Sequence, residues 1–320
     1  MPEVSVVIPV YNGAGTIGLT LDALLAQTQA GLEIIVVDDG STDSTPAVAG
    51  RFGVKYLRQE NRGAAAARNL GWRAASGRYV LFTDSDCVPD RDWARALVRL
   101  LDEGAGAAGG TYTLANPESL TASCIHYEIQ YRHARLPREV RYLGSFSLGA
   151  PREVLESLGG FDESFRIACG EDSDLTYRIA ASGRRLLFTR EARTGHFFPE
   201  NARRFLVQQF WRGYWIMKLA AKHPGRLGND DYSGRRDAVQ PPLFALSAVS
   251  LPFCAAFGWM PHWLALNLAA FLINLPPALF AVRASGRARL LWMLPLLYLR
   301  GFCWAAGCTA GTVKFILFKK

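Results

Sequence analysis

Three short, continuous runs of apolar and largely β-branched residues constrain this chain more than any other feature. They are Val4-Ser-Val-Val-Ile-Pro9, Glu33-Ile-Ile-Val-Val-Asp-Asp39 and Arg78-Tyr-Val-Leu-Phe-Thr-Asp-Ser-Asp86. Runs without polar alternation suit strands covered on both faces, as in a parallel sheet buried beneath helices. Ligands of such sheets bind just beyond the carboxyl ends of the strands. The second and third runs end in carboxylates, Asp38-Asp39 and Asp84-Ser85-Asp86, so these acids are expected to meet in one cleft. Crowded carboxylates repel one another, which implies a cation or a donor-rich ligand. A hard divalent metal carrying a diphosphate fits best.

From residue 1 to about 115, strand-like and helix-like stretches alternate. Helical stretches are predicted over roughly 14–27 and 64–75, with strands at 32–37 and 54–57 and a fourth ending at Asp84. Gly40-Ser41-Thr42-Asp43-Ser44 offers helix-capping residues after strand two. The alternation predicts an α/β class with a doubly wound, mostly parallel sheet. Residues 116–200 are less regular and read as the acceptor-facing half of the same domain, with a helix starting at Gly170 and a strand at 186–189 leading to His196.

The formal charge is +8, yet its distribution matters more than its size. No acid follows Asp237, whereas Arg283, Arg287, Arg289, Arg300, Lys314, Lys319 and Lys320 do, which leaves only +1 for everything before them. A nucleic-acid binder carries its basic surface on the folded domain, so that class is disfavoured. The excess belongs to an apolar tail. Residues 238–282 contain no acid, lysine or arginine, enough for two crossings of about 20 residues each. A turn near Gly258–His262 is expected to separate them, and Pro276-Pro277 to kink the second. Residues 290–313 read as a third span, with Arg300 near its middle; a re-entrant or interfacial piece is the alternative. On 201–222, Arg204, Trp211, Trp215, Lys218 and Lys222 form one helical stripe suited to the headgroup layer. The basic loop 283–289 points to a plasma (inner) membrane, multi-pass arrangement with the catalytic half on the cytoplasmic side. Six cysteines without metal-finger spacing fit a reducing compartment, and no signal peptide is expected ahead of a strand starting near Val4. The expected domains are 1–200, a catalytic α/β domain; 201–237, an amphipathic interfacial helix and linker; and 238–320, a membrane region of two or three helices.

Five ordered segments carry a resemblance: Val4 to Gly13, Val37-Asp-Asp-Gly-Ser-Thr-Asp43, Asn61-Arg-Gly-Ala-Ala-Ala-Ala-Arg-Asn69, Asp84-Ser-Asp86 and Gly170-Glu-Asp172. Together they resemble the motifs of family 2 glycosyltransferases over roughly 1–215. The resemblance implies a GT-A fold, a nucleotide-sugar donor (UDP-sugars being commonest), Mg2+ or Mn2+, and inversion at the anomeric carbon. The tail resembles the membrane segments of bacterial members acting on lipid-linked or envelope glycan acceptors, so the lipid bilayer is a further expected partner.

Each motif has its own physical reading. Pro9 and Tyr11 can offer backbone groups and a ring to a base. Asp38 and Asp39 can accept hydrogen bonds from a pyrimidine N–H and from ribose hydroxyls; by resemblance the pair holds the nucleoside, whichever member touches the base. By resemblance Arg68 reaches toward the base or diphosphate, for which a bidentate guanidinium suits. Asp84-Ser85-Asp86 resembles the family's DxD motif. In an extended segment its two carboxylates would share one side, Asp84 toward the ribose and Asp86 on the metal. Glu171-Asp172 resembles the ED motif, with Asp172 as the general base that an inverting transfer needs and Glu171 in support. Asp174 reads as structural. His196 resembles a histidine near the metal or pyrophosphate, with a satisfied structural role as the alternative. Gln209 and Arg212 resemble QxxRW, but Gly213 replaces its Trp. That argues for transfer of a single sugar rather than processive synthesis.

Two other readings are open to the sequence. A nucleotidyltransferase on a related sheet would carry a basic glycine-rich loop after strand one, whereas Tyr11-Asn12-Gly13-Ala14-Gly15 has no Lys or Arg. A non-catalytic membrane protein that binds sugar nucleotides would be expected to have lost a carboxylate motif, and all are present.

Overall fold

The alternation read from the sequence is realised in the computed structural model, which describes residues 3–167, 169–225, 231–232 and 235–318. Lys319 and Lys320, counted among the tail charges, lie outside the described residues. Contacts divide the chain into two units, Met1–Ala115 with Leu136–Phe197, and Asn116–Arg135 with Phe198–Lys320.

In the first unit β1 (Val4–Val10), α1 (Ile17–Leu25), β2 (Leu32–Asp38), α2 (Thr45–Ala49), β3 (Lys55–Arg58), α3 (Ala64–Ala74) and β4 (Tyr79–Phe82) follow in order. Then come β5 (Cys87–Pro89), α4 (Trp93–Asp102) and β6 (Ala107–Leu114). The helix α5 (Leu120–His133) belongs to the second unit, and β7 (Glu139–Val140), β8 (Leu148–Pro151), α6 (Arg152–Leu158), α7 (Glu171–Ala181) and β9 (Leu186–His196) complete the first. The sheet runs β3-β2-β1-β4-β8-β6-β9-β5, with β7 on β9. The pairs β3–β2, β2–β1, β1–β4 and β6–β9 are parallel. The strand β8 joins β4 to β6 antiparallel to both. This is a mixed, mostly parallel GT-A-like sheet.

The apolar runs form strands because both faces are covered. Every residue of β1 is buried. Val4, Val6, Ile8, Ile34 and Val36 enter one core; Val7, Ile35, Val37, Val80 and Phe82 enter the other. Each such side chain contributes about 1.5–3 kcal/mol when fully buried. Pro9 sits in this central strand without losing a ladder bond. Val7 accepts from the Thr83 N–H, so alternation turns the Pro9 backbone toward β4, beyond the point where β4 has ended.

Two local expectations need correction. The fourth strand stops at Phe82 rather than Asp84 because the Cys87 N–H bonds to the Asp84 carbonyl at 3.1 Å and closes a turn. Asp84 and Asp86 are therefore not related by strand alternation. The last strand extends to His196 rather than stopping near 189, because its far half pairs with both β5 and the end of β6.

The second unit adds to α5 the helices α8 (Ala202–Lys222), α9 (Arg235–Ala256), α10 (Met260–Leu272), α11 (Leu275–Ser285) and α12 (Met293–Thr312). Among the described residues, three stretches are long and apolar enough to cross a membrane: Arg236–Ala256, Met260–Ser285 and Ala288–Leu317. The second is broken at Ile273–Asn274, ahead of the prolines. Pro276 and Pro277 fall in the first turn of α11, where a missing N–H costs nothing. Along α8 the predicted stripe is only half exposed: Arg204, Trp211 and Lys222 face outward, while Lys218 lies 5.3 Å over the Trp215 ring. A second face holds Phe205, Gln209, Gly213 and Leu219 buried, and α8 packs on α12 through glycines. A Cβ on Gly213 would meet the Trp304 carbonyl oxygen at 2.4 Å, and one on Gly307 the Phe210 carbonyl oxygen at 2.0 Å. The Trp of a full QxxRW motif has no room at 213. All six cysteines are free.

Candidate active site

The loops after β1 and β2 are laced together by Asn12, which the sequence reading did not single out. It adopts a left-handed backbone (φ 51°). Its Oδ1 accepts from the Thr42 N–H at 2.8 Å, while its own N–H donates to Ser41 Oγ at 2.9 Å. An Asn in a Tyr-Asn-Gly tripeptide is the signal that could have found it, since Asn tolerates that region. Tyr11, beside it, is 52% exposed at the mouth of the strand ends.

Asp38 and Asp39 follow different courses. Asp38 is wholly buried, and its Oδ1 accepts from the Ser41 N–H at 2.7 Å and its Oδ2 from the Tyr56 hydroxyl at 2.5 Å. Burial, followed by that contact, raises the Tyr56 pKa. Asp39 organises the next loop: its carboxylate accepts from Gln59 Nε2 at 2.7 Å and from the N–H groups of Arg62 and Gly63 at 2.8 Å each. Gly63 is required there. Its φ is +94°, and a Cβ would meet the Arg166 carbonyl oxygen at 2.7 Å. A carboxylate has about four acceptor positions, so Asp39 retains capacity toward a ligand.

Arg68 lies not at the surface but beneath the strand ends, 2% exposed. Its Nη2 donates to Asp84 Oδ1 at 2.7 Å and its Nη1 to Glu171 Oε1 at 2.8 Å. One cation thus joins the turn after β4 to the first turn of α7. Buried between two acids, the guanidinium is held charged, its pKa pushed above the ordinary value. Burial, followed by the neighbouring Asp172 charge, raises the Glu171 carboxyl to about 7 against the pull of Arg68.

Asp172 opens α7 after Gly170. The Tyr142 hydroxyl and the Ser145 N–H donate to its Oδ2 at 3.2 and 3.3 Å, and the Ser173 N–H to its Oδ1 at 2.7 Å. Asp174 is turned away into a 2.9 Å ion pair with Arg178. Tyr142 and Ser145 were not expected from the sequence.

Asp86 has a different partner from Asp84. Its Oδ1 lies 3.5 Å from His196 Nε2, and Cys87 Sγ completes a group of potential ligand atoms within 4.8 Å of one another. A carboxylate and an imidazole suit Mn2+, and the carboxylate suits Mg2+. The thiol does not fit: it is a soft ligand, whereas Mg2+ and Mn2+ favour oxygen ligands. Asp86 and His196 are therefore the pair able to hold a hard ion, with diphosphate oxygens or water filling the remaining positions.

Pro9, Tyr11, Asp38, Asp39, Arg68, Asp84, Asp86, Glu171, Asp172 and His196 all belong to the first unit. The β1, β2 and β4 ends are adjacent, and Arg68 ties Asp84 to Glu171-Asp172. Gln209 and Arg212 belong to the second unit. Gln209 is buried on α8, and the Arg212 guanidinium lies 5.9 Å over the Tyr232 ring.

Residues 5–147 match the sequence model of Glycosyl transferase family 2. The chain is 30% identical over 236 residues to the pre-mycofactocin glycosyltransferase of Mycobacterium tuberculosis, a match covering 70% of this chain and 49% of that protein. It is 31% identical over 204 residues to the glycosyltransferase AglE of Haloferax volcanii, covering 60% of this chain and 66% of that protein. The chain thus spans about half the length of the first relative and just under two thirds of the second. Among solved structures, the mannosyltransferase PcManGT from Pyrobaculum calidifontis, in complex with GDP-Man and Mn2+, superposes with a TM-score of 0.68 at 24% identity. That match covers 100% of this chain and 88% of that one. TarS of S. aureus (residues 1–349, with UDP) gives a TM-score of 0.51 at 18% identity, covering 96% of this chain and 90% of that one. These two likenesses bear on the fold.

Proposed function

We propose, from the premise that this chain belongs to glycosyl transferase family 2 through residues 5–147, that it moves one sugar with inversion from a nucleotide-diphosphate-sugar, a UDP-sugar in the first instance, to a lipid-linked or envelope glycan acceptor. The carrying observation is the Arg68 bridge, which brings Asp84 and the Glu171-Asp172 pair into one constellation beside the Asp86–His196 pair.

In this reading Tyr11 and Asp39 receive the nucleoside, Asp38 braces the turn that presents them, and Asp84 meets the ribose. Asp86 and His196 would hold Mg2+ or Mn2+, which would supply Lewis-acid neutralisation of the diphosphate leaving group. Asp172, oriented by Tyr142 and Ser145, takes the proton of the acceptor hydroxyl. That oxygen forms its bond to the anomeric carbon as the bond to the diphosphate oxygen breaks, and the configuration inverts. Arg68 is a positioning residue, because both its contacts are to other site residues. Gly213 in place of the Trp of a full QxxRW motif favours single transfer. In the same reading the enzyme is a multi-pass protein of the plasma (inner) membrane with a cytoplasmic catalytic unit; helices long and apolar enough to span a membrane support its membrane attachment.

A panel of nucleotide-sugars tested with and without Mn2+ checks this reading. Asp172→Asn is expected to lower kcat by about 10²–10⁴ while leaving donor-induced thermal stabilisation intact. Unchanged turnover in that variant overturns the base assignment, and consumption of a nucleoside triphosphate instead of a nucleotide-sugar overturns the donor class.

A further inference from the structure

Three guanidinium groups in the second unit converge on one carboxylate oxygen. Glu128 Oε1, on α5, accepts from Arg132 Nη2 at 2.5 Å, from Arg236 Nη2 at 2.6 Å and from Arg300 Nη1 at 3.2 Å. Arg132 also pairs with Asp237 and donates to the Tyr232 carbonyl oxygen, while Arg300 Nη2 donates to Gln240 Oε1 at 2.9 Å. Glu128, Asp237 and Arg300 are 6%, 4% and 3% exposed. Among the described residues, three positive charges thus face two negative ones in an enclosed setting.

A buried surplus of charge is costly unless something neutralises it. The cluster is also short of acceptors: Arg300 Nε and Arg236 Nη1 are enclosed without a hydrogen-bond partner. Guanidinium groups with free N–H positions suit the several oxygens of a phosphate. The position of the cluster narrows the source. Arg236 and Asp237 stand at the start of the first membrane-length apolar stretch, and Arg300 lies within the third. Arg236, its side chain 16% exposed, is the cluster's partly open edge.

We propose that Glu128, Arg132, Arg236 and Arg300 form a binding site for the phosphate headgroup of a membrane lipid, with Arg236 and Arg300 supplying the free donors. The inference deepens the reading of a lipid-linked acceptor and rests on it, since the site would anchor that acceptor by its phosphate. Its test uses binding alone, so it can fail while sugar transfer stands.

The full chain in neutral phosphatidylcholine nanodiscs is titrated with a C55 polyisoprenyl monophosphate or with inorganic pyrophosphate, and melting temperature is followed. The lipid phosphate is expected to stabilise the native protein. Arg236→Gln is expected to weaken its apparent affinity at least tenfold, whereas Arg289→Gln, at an exposed position, leaves it unchanged. Arg236 is the variant of choice because Glu128 keeps two guanidinium partners and the fold survives. No stabilisation by the lipid, equal stabilisation in Arg236→Gln, or stabilisation by pyrophosphate alone would each overturn the proposal. Retained Mn2+-dependent donor turnover alongside any of those results would leave the transferase reading intact.

Discussion

The two units bury arginine and carboxylate in opposite proportions. In the first, one guanidinium, Arg68, serves Asp84 and Glu171 with Asp172 close by. In the second, three guanidiniums crowd around Glu128, with Asp237 as the other acid among the described residues. The first arrangement is short of positive charge and the second of negative. Burial is tolerated when charges are paired, so the sign left over indicates the ligand each unit is built to take. One unit suits a cation carrying a diphosphate, and the other an anion.

Glu128→Gln is the most forceful way to break this contrast. It removes the hub of the second cluster and leaves enclosed cations facing Asp237 alone. A loss of about 3–5 kcal/mol is expected, read as a large fall in melting temperature in detergent. Glu171→Gln should behave differently, since burial and Asp172 already oppose its charge and the amide oxygen can still accept from Arg68. Small or absent destabilisation by Glu128→Gln would mean that the surplus is not sensed as drawn.

The pH response sharpens the comparison at an intermediate scale. The folded-state pKa of Glu171, about 7, lies above its ordinary value of 4.5. Its contribution to stability is therefore fully present below about pH 4.5 and is lost as the pH rises through about 7. The melting temperature of wild type is expected to fall over that window by more than that of Glu171→Gln. Parallel curves for the two proteins would show that Glu171 titrates normally. The smallest effect is expected at the α8–α12 seam, where Gly213→Ala forces apart backbones already in contact and costs about 1–3 kcal/mol by overpacking. Thermal unfolding at wild-type levels in that variant would show that the seam yields freely.

The first unit was the more legible of the two. Its strand runs are continuous in sequence, so β1, β2 and the start of β4 follow from local composition, and the acids at their ends mark the cleft. What escaped was fixed by distant partners. The far half of β9 exists because β5 and β6 pair with it, and Arg-Glu-Ala-Arg-Thr-Gly at 190–195 carries no strand pattern of its own. Arg68 was expected at a ligand, yet it lies in the interior, because Glu171 is 103 residues away in sequence. In the second unit, Glu128 and Arg132 read as an ordinary helical pair, and nothing near them announces Arg236 and Arg300. The break before Pro276 was placed slightly late because proline opens a helix as readily as it kinks one.

The account depends above all on a cation and a diphosphate being held together by the first unit, and calorimetric titration of UDP and GDP with and without Mn2+ tests that most directly. Wild type is expected to bind one of the two nucleotides in a Mn2+-dependent manner, and Asp86→Ala to lose at least tenfold in affinity while keeping its melting temperature. Equal binding in EDTA, or by Asp86→Ala with Mn2+ present, would contradict it.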